Sequence, residues 1–254
     1  MRILAVGDVT GDSGMDFLCS NLRYLIEDEK IDFCIVNGEN AAVRNGITPN
    51  EYERITECGA NVITLGNHFL DRREIKNVLG NSDIIRPSNY PDAPGKGSTV
   101  LRVGNKKIGI INLVGRINLS AVDCPFRAAD REIEKIKNDC DMIFVDFHAE
   151  ATSEKLSMGF YLDGRVTGVF GTHTHVQTAD ERVLPKGTGF ICDLGMTGVI
   201  NSSLGVDKDV IIERMLTVLP VKFQPAYGKS MLCGAIFETD ENDKCISVKR
   251  VHIE

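Results

Sequence analysis

Short apolar runs alternate with segments of helical periodicity along the first half of the chain. Residues 3–7, 33–37 and 62–65 have the length and β-branched content of buried strands. Between the first two runs, apolar residues recur at helical spacing over residues 15–28. This alternation is typical of strand–helix–strand units with parallel strands. We therefore predict an α/β fold whose first sheet is parallel.

Capping and turn patterns extend the prediction along the chain. Thr48-Pro49-Asn50-Glu51 is a capping box with Pro at the first helical position, and it predicts a helix to about Cys58. Asp71 with Glu74 predicts a capped helix over about 71–79. Gly-Asn separates two β-rich runs, which predicts a hairpin over 99–113. Further helices are predicted over 127–139, 153–161 and 207–218, and strands over 142–147, 166–170, 189–193, 230–238 and 245–253.

These elements predict a single domain over residues 1–254, built as two mixed sheets packed face to face with helices outside. The hairpins in the later part of the chain indicate that the second sheet is the more antiparallel one.

Side chains that can bind metals follow five predicted strands, at the point where each strand ends. They are Asp8, then Glu39 and Asn40, then Asn67 and His68, then His148, and finally His173 and His175. Four of the five histidines of the chain belong to this set. Because the carboxyl ends of parallel strands meet at one edge of a sheet, we expect these side chains to converge there.

Seven of these side chains have donor atoms suited to a pair of metal ions: Asp8, Glu39, Asn40, Asn67, His148, His173 and His175. One divalent ion rarely takes so many mixed nitrogen and oxygen ligands, whereas two ions that share a bridging ligand use them well. Asp8 and Glu39 supply only two negative charges, so two divalent ions leave a deficit that hydroxide and phosphate would fill. Imidazole and oxygen ligands without thiolate favour manganese, iron or zinc.

Each residue also has a purely structural interpretation. Asp8 could form a turn at the end of a strand, Asn67-His68 could open a helix, and His148 could be a buried core histidine. His173 and His175 differ in that alternate residues of a strand share a face, which suits a ligand pair. The repetition of the pattern at five strand ends favours the metal site over separate structural roles.

Composition narrows the choice of partner. The 254 residues include 29 Lys+Arg and 36 Asp+Glu, a formal net charge of −7. This balance argues against general nucleic-acid binding, although a local pocket could still hold one nucleotide. The longest segment without a charged residue, 166–179, is too short to span a membrane. No pattern fixes the oligomeric state, and a homo-oligomer stays open.

The eight cysteines are spaced by 12 residues or more, and no C-x2-C pair occurs. A thiolate zinc site is therefore not expected. The apolar run at the N-terminus is too short for a signal peptide. We accordingly expect a cytoplasmic protein without disulfide bonds.

The order of these motifs resembles that of the calcineurin-like metallophosphoesterase superfamily, through Gly66-Asn67-His68 and Gly171-Thr172-His173-Thr174-His175. Two motifs depart from the superfamily. Its D-x-H is Asp8-Val9-Thr10 here, and its G-D-x-x-D begins as Gly38-Glu39-Asn40. Those departures resemble the YmdB-like branch of phosphodiesterases, as do the strings NGENAA, RPSNYP, DFHAEATSEK and DLGMTG.

The resemblance implies a role for each residue. One metal would be held by Asp8, Asn40 and His175, and the other by Asn67, His148 and His173, with Glu39 bridging them. His68 would be a catalytic residue that binds no metal and protonates the leaving alkoxide. The family also implies a four-layer α/β/β/α sandwich, two iron or manganese ions, and phosphodiesterase activity on 2′,3′-cyclic or 3′,5′-cyclic nucleotides.

Three other functions compete with this one. A P-loop NTPase needs a lysine that the segment GDVTGDSG lacks, and an aspartyl phosphatase needs an acid where Thr10 stands. A regulatory protein that binds metals without catalysis stays open. Arg116, Thr10, Thr172, Thr178 and residues 150–155 are weaker candidates, outside the catalytic set.

Overall fold

The computed structural model describes residues 1–43 and 45–254. The strands are β1 (Arg2–Val6), β2 (Asp8–Val9), β3 (Phe33–Asn37), β4 (Val62–Thr64), β5 (Ile84–Ile85), β6 (Ser98–Val103), β7 (Lys106–Val114), β8 (Met142–His148), β9 (Gly168–Thr172), β10 (Arg182–Val183), β11 (Gly189–Ile191), β12 (Met196–Val199), β13 (Ser230–Thr239) and β14 (Cys245–Ile253). The helices are α1 (Gly11–Asp28), α2 (Pro49–Glu57), α3 (Pro125–Ile136), α4 (Thr152–Leu162) and α5 (Lys208–Thr217), with a 3-10 helix over Arg73–Asn77.

The strands form two mixed sheets. The first has the order β2-β12-β13-β1-β3-β4-β5, with β14 also paired to β13. The second has the order β10-β11-β9-β8-β7-β6. The second sheet is parallel from β7 to β11 and antiparallel only at its edges. The expectation of a more antiparallel second sheet was wrong, because the β13–β14 hairpin joins the first sheet beside β1.

Three apolar layers hold the sheets and helices together. Ile35 of the first sheet and Phe144 of the second belong to the layer between the two sheets. Leu4 packs with Leu18 of α1 on the outer face of the first sheet. A third layer joins the second sheet to α3 and α4. Burial of these side chains is the main driving force for the arrangement. The predicted α/β/β/α order of layers is confirmed.

Local capping chemistry agrees with one prediction and corrects another. The capping box of Thr48 and Glu51 opens α2 as predicted. The predicted helix over 71–79 is instead a single 3-10 turn, and no side-chain cap precedes it. The Asp71 carboxylate is engaged elsewhere, because it lies 2.8 Å from Nδ1 of His68. A carboxylate that pairs with a neighbouring side chain is not available as an N-cap.

Cys19 of α1 and Cys58 at the end of α2 form a disulfide, with their Cα atoms 5.0 Å apart. The expectation of no disulfide was therefore wrong. The two cysteines are 39 residues apart in sequence, so spacing gave no sign that the packing of α1 against α2 would bring them together. Within residues 1–43 and 45–254, we find no helix with both the length and the apolar character needed to cross a membrane.

Candidate metal centre

The structure brings the predicted site residues to one edge of the sandwich, between the two sheets. Asp8 lies in β2, and Glu39 and Asn40 follow β3, while Asn67 and His68 follow β4. From the second sheet, His148 ends β8, and His173 and His175 follow β9. The carboxyl ends of strands from both sheets thus face the same cleft, where α/β folds bind their ligands.

One group of donor atoms surrounds Nε2 of His148. Glu39 Oε1 lies 2.9 Å from this nitrogen. Asn67 Oδ1 and His173 Nδ1 each lie 3.1 Å from it. Ligand atoms of Glu39, His148 and His173 all lie within 4.8 Å of one another, which makes them a candidate cation site. Two imidazoles with a carboxylate and an amide oxygen form a donor set typical of a transition-metal ion.

A second group adjoins the first on the side of β2. His175 Nε2 lies 3.6 Å from Asp8 Oδ1 and 3.3 Å from the amide nitrogen of Asn40. That amide also donates to Glu39 Oε1 over 3.1 Å, so Glu39 contacts both groups. Rotating the Asn40 amide by half a turn would present its oxygen at the same point, as a ligand must.

Two further observations fit a cation at this edge. Among residues 1–43 and 45–254, the buried Oδ1 atom of Asp8 has no hydrogen-bond partner. An unsatisfied buried carboxylate oxygen is costly unless a ligand completes it. Gly66 supplies the space, because a Cβ at this position would collide with Glu39 Oε2 and His148 Nε2. The residues present therefore fit metal ions.

Charge within the cluster is balanced by protonation. Burial alone would lower the pKa of His148, but the Glu39 and Asp8 carboxylates raise it to about 9. Burial and the neighbouring His148 cation lower the pKa of His173 to about 4. Burial tends to raise the pKa of Asp8, but His175 and the backbone N–H of His173 lower it overall. The two buried carboxylates therefore favour positive charge in the cluster, which protons on the histidines supply and which a metal cation would supply in their place.

His173 and His175 reach the site through a turn. Strand β9 ends at Thr172, and both histidines have left-handed φ values, 99° and 63°. The prediction that they share a strand face was wrong for that reason. Asp193 holds the turn, since it accepts from the Thr174 hydroxyl over 2.6 Å and from Lys155 Nζ over 2.6 Å. These contacts hold both histidines in left-handed backbone conformations, which cost about 1–3 kcal/mol each at non-glycine residues.

His68 lies at the rim of the cluster and outside both groups of donor atoms. Its side chain is 31% exposed, and Nδ1 lies 2.8 Å from Asp71 Oδ2. Its backbone N–H donates to Glu39 Oε2 over 3.0 Å. The other ring nitrogen, Nε2, lies 3.3 Å from the side-chain amide nitrogen of Asn45, so the ring is held between Asp71 and Asn45 beside the candidate metal site. This placement suits the predicted role without metal ligation.

The side chains that hold the His148 ring in place were not predicted from the sequence. Nδ1 of His148 lies 2.8 Å from Thr172 Oγ1, and that hydroxyl donates to Asp146 Oδ1 over 2.7 Å. Asn37 also donates to Asp146. Burial raises the pKa of Asp146 to about 6. The available signal was an acidic residue inside an apolar run, two positions before His148 and hence on the same face of the strand.

Comparison with known proteins identifies the family and the fold. A model of the YmdB-like protein family matches residues 4–251. The chain is 45% identical to the Bacillus subtilis protein named 2′,3′-cyclic-nucleotide 2′-phosphodiesterase, over 100% of this chain and 97% of that protein. The crystal structure of a hypothetical protein from Thermus thermophilus superposes with a TM-score of 0.93 at 38% identity, covering 99% of this chain and 98% of that one. The crystal structure of a Mycoplasma pneumoniae phosphatase gives a TM-score of 0.93 at 34% identity, covering 100% and 93%.

Proposed function

The chain belongs to the YmdB-like family, and from that premise we propose that it is a metal-dependent phosphodiesterase acting on cyclic nucleotides, 2′,3′-cyclic ones first. The name of the Bacillus subtilis relative, which matches over the whole chain, supports this choice of substrate. A phosphoric diester hydrolase is also the activity that a cluster of carboxylate, amide and imidazole donors at the end of two sheets suits best.

The observation that carries the proposal is the position of Glu39 between the two groups of donor atoms. Its Oε1 atom is 2.9 Å from His148 Nε2 in one group and 3.1 Å from the Asn40 amide in the other. We propose Asp8, Asn40 and His175 as ligands of one ion and Asn67, His148 and His173 as ligands of a second, with Glu39 shared. The nitrogen and oxygen donors favour iron or manganese, with zinc as a third choice.

When bound, such ions supply an acidified water and neutralise charge on the phosphate. The remaining steps belong to side chains of this chain. Water gives up one proton to solvent as its oxygen adds to phosphorus, one bond from phosphorus to a ribose oxygen breaks, and the leaving oxygen takes a proton from His68, which solvent then restores. Asp71, 2.8 Å from Nδ1, orients the ring. Because the backbone N–H of His68 is bonded to Glu39, the proton donor is fixed relative to the metal-binding cluster.

The test combines metal analysis with turnover. Purified protein reconstituted with Mn²⁺ should hold about two ions per chain and hydrolyse 2′,3′-cyclic AMP, with 3′,5′-cyclic AMP as the second substrate. Glu39→Gln should lose metal and activity together. His68→Ala should keep its metal and lose on the order of 10²–10⁴ in kcat. His252→Ala is the matched control, since His252 lies in β14 with a side chain 47% exposed.

Metal-loaded protein that hydrolyses neither nucleotide would contradict the proposal and favour the regulatory alternative. Loss of metal from His68→Ala would instead make His68 a ligand.

A further inference from the structure

A cavity of about 320 Å³ opens beside the group formed by Asp8, Asn40 and His175. Asn40 and His175 form part of its wall. The opposite wall comes from a later part of the chain, residues 204–206 and 221–225. A volume of this size lies within the range of sites that take small molecules. Anything bound there would touch the metal-binding cluster at one end.

Phe223 gives this cavity an aromatic surface. Its side chain lines the cavity and is 40% exposed. The guanidinium carbon of Arg214 lies 5.0 Å from the centroid of the ring. Arg214 is not among the residues that line the cavity, so its guanidinium holds the ring without filling the cavity. A partly exposed ring that is held by a cation and borders a cavity is a platform for a planar ligand.

The rest of the wall suits an uncharged heterocycle. Val206, Val221 and Pro225 are apolar, and Lys222 and Gln224 add a cation and an amide. Within the part of the chain that the structure describes, no carboxylate lines the cavity. Apolar walls with a few polar groups fix the orientation of a ligand such as a nucleobase.

Hydrogen bonds tie this wall to the metal-binding cluster. Nδ1 of His175 lies 3.1 Å from the carbonyl oxygen of Leu204. The backbone N–H of Asp207 donates to Gln224 over 2.9 Å, and that of Ala226 donates to Gly205 over 3.0 Å. The distance between the aromatic platform and the metal-binding residues is therefore set by the fold before a ligand binds.

From these observations we propose that the cavity is a nucleoside subsite, in which the base of the substrate stacks on Phe223 while its cyclic phosphate lies at the metal-binding cluster. This inference rests on the proposed function. It adds that the enzyme recognises the base of its substrate. A cyclic phosphate without a base would reach the cluster and leave the cavity empty.

The experiment compares two diesters that differ only in the base: 2′,3′-cyclic AMP and the 2,3-cyclic phosphate of methyl riboside. With Mn²⁺-loaded enzyme, kcat/KM should be higher for the nucleotide. Phe223→Leu, which keeps an apolar side chain but removes the aromatic face, should lower kcat/KM for the nucleotide roughly 10- to 100-fold, the range ordinary for loss of one base–aromatic stack. It should leave the base-free diester within about twofold, and Phe223→Tyr should restore the preference.

Phe160→Leu is the matched control, because Phe160 is an exposed phenylalanine of α4 outside the cavity. Equal effects of Phe223→Leu on both diesters, or none on either, would overturn the subsite. Wild-type enzyme that hydrolyses the base-free diester as well as the nucleotide would also overturn it and leave the proposed function standing. Wild-type enzyme that hydrolyses neither diester would overturn both.

Discussion

Two hydrogen bonds, from His148 to Thr172 and from Thr172 to Asp146, determine which ring nitrogen of His148 has a lone pair available in the cleft. Above its pKa of about 6, Asp146 is ionised and can only accept, so the Thr172 hydroxyl donates to it. Thr172 must then accept from Nδ1 of His148, so when a metal ion displaces a proton from the imidazolium, the neutral tautomer that remains has Nδ1 protonated and Nε2 unprotonated. Only that tautomer can bind a metal through Nε2.

Replacing the Asp146 carboxylate by an amide should reverse the direction of both hydrogen bonds. In Asp146→Asn, the amide nitrogen would donate to Thr172, whose hydroxyl would then donate to Nδ1 of His148. Nε2 would carry the proton and lose its lone pair for a ligand. We expect Mn²⁺ affinity to fall roughly 10- to 100-fold, the usual effect of removing such a supporting group, as measured by calorimetric titration near neutral pH.

Asp163→Asn provides the control, because Asp163 is a buried carboxylate that accepts backbone N–H groups of Lys186 and Thr188 away from the cleft. Unchanged metal affinity in Asp146→Asn would show that the hydrogen bonds through Thr172 to Asp146 do not set the tautomer of His148.

At the residue scale, the sequence predicted which side chains lie together at the site, but not the side chains that hold them in place. Each of the residues that converge follows or ends an apolar strand, and such a position can be read from a single segment. The contacts of Asp146 and Asp193 join segments that are far apart in sequence, so no single segment contains them. The roles of the metal ligands and of His68 stay predictions until the variants above are measured.

Among the elements, the regular strands and helices were predicted well and the short ones were not. Phe33–Asn37 and the α2 capping box agree with the sequence pattern. The strands β2, β5 and β10 are two residues long, too short for any periodicity to show. The turn that carries His173 and His175 depends on Lys155 and Asp193, which are distant in sequence.

The disulfide links α1 to α2, and it should add stability only under oxidising conditions. We expect Cys19→Ser to lower the free energy of unfolding by about 2–4 kcal/mol without reductant, because the cross-link restricts the unfolded chain. With dithiothreitol the variant and the wild type should differ much less. Urea unfolding under both conditions measures the effect.

Cys124→Ser is the control for that measurement, since Cys124 is a half-buried cysteine outside the disulfide. Equal stability of Cys19→Ser and wild type without reductant would mean that the cross-link is not formed in solution.

Glu132 anchors α3 to the second sheet in a pH-dependent way. Burial tends to raise the pKa of Glu132, but hydrogen bonds from Ser98, Ser88 and Lys135 lower it overall. A carboxyl whose pKa is lowered by folding contributes stability above its usual value of 4.5, and loses that contribution as the pH falls below it. We expect Glu132→Gln to cost about 1–2 kcal/mol at neutral pH and progressively less in acid.

Urea unfolding of wild type and variant from neutral pH down through the acid range would measure this difference. Glu134→Gln is the matched control, because Glu134 lies on the same helix with a side chain 66% exposed. A constant difference between Glu132→Gln and wild type across this pH range would contradict the assignment.

At the scale of the whole molecule, the candidate centre joins two sheets that also meet through an apolar layer and through hydrogen bonds from Asn37 and Thr64 to Asp146. Glu39 and Asn67 come from the first sheet, and His148 and His173 come from the second. Bound ions should therefore stabilise the entire fold. We expect Mn²⁺ at about 100 times its Kd to raise the free energy of unfolding by about 2.7 kcal/mol, and EDTA to reverse the gain.

Thermal unfolding with Mn²⁺ and with EDTA measures this gain, and Glu39→Gln should show little of it. A wild-type Tm that does not respond to either addition would argue against metal binding at the sheet edge.

The position of β13 imposes an order of events during synthesis. This strand comes from residues near the C-terminus, yet it lies between β1 and β12 in the first sheet. On the ribosome, β1 therefore stays without one neighbour until residues 230–239 have emerged, although the last residue of the cluster, His175, emerges much earlier. We expect the nascent chain to bind Mn²⁺ only once β13 has closed the sheet beside Asp8.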